Sequence, residues 1–295
     1  MTALRYLIDG LALGALYALV AIGIALVFGV MRLINFAQGE LITAGAYSLW
    51  LTRHMPLVAS IVICFLVCIV LALLMQGIAF RPLRNAAPAT TLVATFAVAF
   101  ALEALWLIAF SPTGRTVVQL AALNGSVTHG TLQLRWVTIA EIGSGALLLI
   151  GTALILNRTN IGLQMRAAAT DFRAARLLGV RADRVIEFAF ALAGVMAAVV
   201  ALLLTVQDPL VSPTFGLNAT ILALVGAVFG GIDRLTTATA GGFAIGFITG
   251  LLGDVLPSSQ EVFLTAFTFL IVLIALLVRP AGLFAPLGKG TVERV

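Results

Sequence analysis

Glu40 and Glu103 are the side chains whose position most invites chemistry, because each interrupts a long apolar stretch. A carboxylate at the middle of a membrane span costs about 2.5–3.5 kcal/mol on insertion scales, so by default it turns toward a protein interior or a water-filled cavity. Glu40 follows Gln38 and is placed near a helix end, where that cost is small. Glu103 sits deeper, between the runs 85–102 and 104–111, as either a protonated or hydrogen-bonded interhelical contact or a pathway group.

Other reactive groups are sparse. Cys64 and Cys68 stand four apart in one apolar run, share a helix face and act as small hydrophobes. With no His or carboxylate beside them they do not make a metal-binding set. His54 and His129 lie far apart in polar connections. A phosphate-binding loop needs Gly-x-x-x-x-Gly-Lys and then Ser or Thr, because backbone N–H groups and a lysine must cradle the phosphates. The only lysine lies in Gly288-Lys289-Gly290, with Leu283 where the first glycine belongs. Neither a Gly-x-Ser-x-Gly elbow nor a His-Glu-x-x-His pair is present. The chain therefore reads as having no catalytic residue, no metal site and no cofactor, and as not being its own ATPase.

The elements that position these residues are membrane spans. Hydrophobic residues make up 62% of the 295, charged ones only 10%, and the mean hydropathy is +1.16. A soluble domain carries roughly 25% charged residues, since its surface must face water. The net charge of +5 could point to nucleic acid, but the arginines fall between apolar runs rather than among aromatics and read as orientation signals. Residues 10–31 form an uncharged stretch longer than a signal-peptide core, with no small-x-small site after it, and are taken as a retained first span.

A spanning helix needs about 20 apolar residues. The stretches 10–31, 55–80, 85–102, 142–157, 188–207, 209–232, 235–253 and 262–278 contain no Asp, Glu, Lys or Arg. Residues 36–51 are shorter and more polar, and either cross or pack inside the protein. The expectation is an all-α, polytopic helix bundle of eight to nine spans forming one domain over 1–295. With nine crossings, 13 of the 17 basic residues fall on one side and 4 on the other. The positive-inside rule then places the C-terminus in the cytoplasm and the N-terminus outside. Residues 111–136 become an external loop and residues 157–186 the main cytoplasmic one. The latter is predicted to hold one helix around 166–178, closed by Gly179 as its C-cap.

Glycines recur at four-residue spacing in Gly10/Gly14, Gly226/Gly230 and Gly242/Gly246/Gly250, the pattern that lets helices approach closely in lipid. Phe28-Gly29-Val30-Met31-Arg32-Leu33 and Phe229-Gly230-Gly231-Ile232-Asp233-Arg234-Leu235 echo one another, as a parallel internal repeat or a coincidence of Gly-rich helix ends would make them.

Gly14-Ala15-Leu16-Tyr17-Ala18-Leu19, Gly23, Gly29, Asn35-Phe36-Ala37-Gln38-Gly39-Glu40 and Gly45-Ala46-Tyr47 resemble the opening signature of branched-chain amino-acid ABC permeases of the LivH type. The stretch from Gly162 through Arg166-Ala167, Asp171, Ala174 and Gly179 is similar to that family's ATPase-contacting loop, and Arg279-Pro280-Ala281-Gly282-Leu283-Phe284 to its ending. Ile232-Asp233-Arg234-Leu235 departs from the family's usual Gly-Ser-Ile and a small residue, as an internal salt bridge or a change of solute would explain. The resemblance implies a multi-pass subunit of the bacterial plasma membrane. It implies four kinds of partner: a homologous second permease, two cytoplasmic ATPases, an extracytoplasmic solute-binding protein and the lipid bilayer, with no nucleic acid. Arg166, Asp171 and Arg173 are then the expected ATPase-coupling residues, with Gly179 setting the helix's exit, and Asn35, Gln38 and Glu40 are expected to line the pathway. Urea, short amides and aromatic acids compete with leucine, isoleucine and valine as solutes. An ion-coupled secondary transporter is the rival class, for which Glu103 is the main candidate coupling group.

Overall fold

The computed structural model describes residues 2–84, 86–129, 132–279, 282 and 284. Eleven α-helices are present among them: α1 (Thr2–Met31), α2 (Gln38–Leu51), α3 (Leu57–Leu74), α4 (Pro88–Phe110), α5 (Trp136–Arg158), α6 (Asn160–Thr170), α7 (Phe172–Leu177), α8 (Ala182–Gln207), α9 (Leu217–Gly230), α10 (Leu235–Val255) and α11 (Leu264–Val278). A π-helical turn, Met75–Phe80, extends α3. Among the described residues, α1, α3 with its extension, α4, α5, α8 and α10 are long and apolar enough to cross a membrane, while α2, α9 and α11 are shorter. The expected all-α membrane bundle is what forms.

The chain packs around α1. In its most apolar window 78% of α1 is buried, against 11% for α4. The glycine spacings meet each other: a Cβ on Gly250 would lie 2.7 Å from the Gly10 Cα, and one on Gly246 would lie 2.8 Å from the Gly14 Cα. Likewise Gly226 abuts Gly242, so α10 lies antiparallel to α1 and to α9 with backbones in contact. Without side chains between them, dispersion contacts replace the hydrophobic drive that lipid does not supply.

Two of the short helices explain how a polar stretch enters the bundle. Residues 32–37 are not helical, and α2 begins deep inside, where the Gln38 side chain donates to the Ala193 carbonyl of α8 at 3.2 Å. Fourteen residues rise only about 21 Å, short of the roughly 30 Å core, so the irregular lead-in supplies the remaining depth. At the far end of α2 the Thr52 carbonyl accepts bonds from Ser60 Oγ at 3.0 Å and Gln119 Nε2 at 2.8 Å. Residues 36–51 therefore lie inside the bundle, as an irregular lead-in followed by the short helix α2. Irregular backbone survives at that depth because protein receives it. Asn35 Oδ1 accepts from the Ala37 N–H at 3.1 Å, and Thr43 Oγ1 accepts from the Gly216 N–H at 3.0 Å.

The loop 111–136 is more ordered than its composition predicts. β1 (Arg115–Thr116) pairs antiparallel with β4 (Leu210–Val211), and β2 (Ser126–His129) with β3 (Leu132–Arg135). The first pair ties this loop to the segment leading into α9.

At the opposite end the single helix expected around 166–178 is two helices. Asp171 takes extended backbone angles, ends α6, and through Oδ1 accepts the Ala174 N–H at 3.0 Å to start α7. An Asp side chain competes for backbone donors in this way, which favours a cap over helix interior. Gly179 adopts φ +87°, and the Val180 N–H returns to the Ala175 carbonyl at 3.1 Å. That 6→1 closure is the Schellman form of the expected C-cap.

Candidate functional site

The three residues expected to line a pathway are interior. Asn35, Gln38 and Glu40 are 1%, 0% and 2% exposed. They surround a junction where the N-termini of α2 and α9 meet: a Cβ on Gly39 would lie 3.0 Å from both the Gly216 carbonyl oxygen and Thr220 Oγ1. Two helix starts thus converge near the first turn of α2, which carries Glu40. Among the described residues Asn35 Nδ2, Gln38 Oε1 and Thr220 Oγ1 have no recorded partner. Of Asn35, Gln38 and Glu40, the first shapes the backbone, the second pins α2 to α8, and the third turns toward α4.

Glu40 reaches α4. Its Oε2 accepts the Trp106 indole N–H at 2.8 Å. Aromatic contacts support this seam: Tyr47 stacks on Phe110 with ring centroids 4.1 Å apart, and Phe36 on Phe96 at 4.0 Å. Glu103, one turn before Trp106 on α4, is half-buried and close enough to act electrostatically on Glu40. Among the described residues no hydrogen bond is recorded for Glu103. Beside it, α4 exposes Phe100, Leu105 and Ile108. This is a carboxylate on an otherwise outward-facing apolar helix.

The coupling candidates gather at the arginine-rich end. Arg166 does not project away: its Nη1 donates to Asn157 Oδ1 at 3.0 Å, fastening α6 to the end of α5. Asp171 holds the break between α6 and α7, and Gly179 closes α7, as above. Arg173 lies on α7, and its side chain is outside the described residues, as are Pro280, Ala281, Leu283 and Lys289 of the C-terminal segment. The residues missed as candidates are Leu177 and Leu178, which are 90% and 85% exposed beside the cap. Their sequence signal was two adjacent leucines just ahead of a capping glycine in the most charged part of the chain.

Asp233 also has a place. Arg32, at φ +53°, sends Nη1 to Asp233 Oδ1 at 2.9 Å and Nη2 to the Ala169 carbonyl at 3.1 Å. One guanidinium thus joins the ends of α1 and α6 to the α9–α10 turn, and the two echoing segments meet there. The salt bridge is to Arg32 rather than to the adjacent Arg234. Both side chains are more than half exposed, so the pair contributes at most about 1 kcal/mol. Asp233→Asn is expected to leave thermal unfolding of the purified protein within a few degrees of the parent; a collapse of folding would show a buried role that this exposure does not support.

Comparison with known proteins gives consistent results. A family model described as "Branched-chain amino acid transport system / permease component" matches residues 6–278. The chain is 29% identical to the high-affinity branched-chain amino acid transport system permease protein BraD of Pseudomonas aeruginosa, over 99% of this chain and 98% of that one. It is 27% identical to LivH of Escherichia coli, described in the same words, over 99% and 97%. A probable LivH of Methanocaldococcus jannaschii is 26% identical over 91% and 88%. Among solved structures, a chain of PsaBC from Streptococcus pneumoniae in complex with Fab superposes with TM-score 0.53 at 13% identity, over 94% of this chain and 92% of that one. That likeness concerns the fold alone.

Proposed function

The chain belongs to the permease-component family of branched-chain amino acid transport systems, and from that premise we propose that it forms one half of the pathway through which an ABC importer admits leucine, isoleucine or valine. A homologous second permease supplies the other half, two ATPases supply the energy, and a solute-binding protein delivers the amino acid. The observation that carries this reading over an ion-coupled carrier is the pair Leu177 and Leu178. Two leucines held in water by a capped helix, beyond the end of the spans, fit a surface built to be covered by another subunit. A carrier that works alone has no use for it. The arginine-rich end faces the cytoplasm on this reading, as the positive-inside rule requires. Asp171 and Gly179 then set the angle at which α7 is presented, Arg166 holds its base, and Arg173 is an ATPase-coupling residue of α7.

The pathway runs along the face of α4 that carries Glu103, and the second permease covers the rest of that face. An ionisable group at membrane depth faces a partner or water rather than lipid. Behind it Glu40 and Trp106 form a buried polar seam and not a lining. Glu103→Gln is expected to keep most uptake, and Glu103→Leu to lose roughly tenfold, about 1.4 kcal/mol in the rate-limiting step. Equal, near-parental uptake by both variants would move the pathway off α4.

The direct test is labelled leucine uptake into vesicles containing the chain, with and without the three partner types and ATP. Uptake that needs ATPases and binding protein agrees with the proposal. Uptake by the chain alone, driven by an ion gradient, sinks it.

A further inference from the structure

On the flank away from Glu103 an open cleft of about 1030 Å³ lies between α5 and α10, floored by Ala18 and Ile22 of α1. Its walls are apolar, with Leu149 and Leu156 on one side and Phe243 and Phe247 on the other. The two phenylalanine rings stack with centroids 6.1 Å apart and make a flat wall. At the arginine-rich end the walls give way to Asn157, Arg166 and Arg234. Both arginines are exposed, and among the described residues neither has a recorded ion pair; no acidic side chain lines the cleft. Arg166 spends one N–H on Asn157 and keeps the rest of its five donors for another acceptor.

One more group completes the pattern. Thr152 lies in the wall, 2% exposed, and its Oγ1 has no recorded partner among the described residues. It sits five residues before Asn157 on α5, about 7–8 Å deeper than the arginine mouth at 1.5 Å per residue. From Arg234 to Phe247 the same rise gives about 20 Å, somewhat more than one leaflet of a roughly 30 Å hydrocarbon core. Cations at the membrane surface, an unpaired hydroxyl just below them and an apolar slot one leaflet deep match the order of groups along a phospholipid: phosphate, ester carbonyl, acyl chain.

We propose that this cleft binds an anionic phospholipid of the arginine-rich leaflet, its phosphate on Arg166 and Arg234, an ester carbonyl accepting from Thr152, and one acyl chain laid against Phe243 and Phe247. Paired guanidiniums hold phosphate oxygens through charge-assisted bonds, and clustered basic residues at that depth attract anionic headgroups. The bound lipid braces α6, through Arg166, against the start of α10, so that the base of the coupling element depends on membrane composition. The inference stands apart from the pathway reading, because it concerns the opposite flank and its readout is lipid, not transport.

The test is native mass spectrometry of the full permease complex, released from nanodiscs of phosphatidylglycerol or of phosphatidylcholine. Retained phosphatidylglycerol is expected to exceed retained phosphatidylcholine about tenfold, a difference of ~1.4 kcal/mol. That preference should vanish in Arg234→Gln and in Arg166→Gln/Arg234→Gln, persist in Arg166→Lys/Arg234→Lys, and survive added inorganic phosphate. Equal retention of the two lipids, or a preference untouched by the glutamine variants, overturns the proposal. So does a cysteine cross-link from Ala240→Cys to the second permease, which would show a protein helix in the slot.

Discussion

Replacing Leu177 and Leu178 together with aspartate is expected, on the proposed coupling role of α7, to abolish ATP-driven uptake while leaving the permease inserted and folded. Both side chains are almost wholly exposed, so the change removes no internal packing. Burial of a leucine at an interface contributes about 1.5–3 kcal/mol, so the double change is expected to cost the proposed ATPase interface roughly 3–6 kcal/mol, on the order of 10²–10⁴ in affinity. Thermal unfolding of the permease alone and co-purification of the ATPases are the two measurements. Retained folding with lost ATPase binding and lost uptake is the expected combination. Uptake and ATPase binding at parental levels would remove α7 from the coupling surface. Asp171→Ala acts on the same element more gently, since loss of a cap costs about 1 kcal/mol and loosens the start of α7 without deleting its contacts.

Gly216→Val should be strongly damaging to the folded bundle. A Cβ at this position would overlap the Gly39 carbonyl oxygen and stand 2.9 Å from the Ile42 Cβ, both in a closed interior. The obstacle is backbone, which cannot rotate aside, so the starts of α2 and α9 must separate. Overpacking of flexible side chains typically costs 1–3 kcal/mol, and about 3 kcal/mol or more is expected here. Separation also exposes the interior atoms that Asn35, Gln38 and Thr220 leave unpartnered. Gly29→Ala is the matched control: nothing stands within 4 Å of a Cβ there, and alanine in a helix is favoured by about 0.5–1 kcal/mol. Thermal stability of the two purified variants should therefore move in opposite directions. A Gly216→Val protein as stable as the parent would mean that the two half-helices do not abut.

Much of the architecture was legible because lipid reduces the problem to a few strong rules. Apolar runs without charge become helices when no water is present to bond the backbone, and α1, α3, α5, α8 and α10 follow from that alone. The glycine rows at positions 10, 14, 242, 246 and 250 announced close approach, although only the folded chain showed that they face each other. The proposed coupling segment was half legible. Gly179 was identified as a cap because a glycine after a helical run has one common use. Asp171 was not identified as a break, because the alanine-rich flanks favour helix on both sides and the competing bond from its side chain depends on local geometry.

The candidate pathway residues were the least legible. Asn35, Gln38 and Glu40 stand out as polar groups in an apolar setting, but polarity marks both a lining and a buried joint. Composition and charge spacing by themselves determined that this protein is a multi-pass membrane bundle, which end gathers its arginines, and that it holds no phosphate-binding loop of its own; those properties are sums over residues or local patterns. Tertiary structure alone decided which polar residues are sealed inside, that Glu103 rather than Gln38 looks outward, that Arg32 reaches Asp233 from 201 positions away, and that a cleft with an arginine mouth opens beside α1. Each of those is set by which helix faces pack together, and a one-dimensional pattern does not contain the angle at which two helices meet.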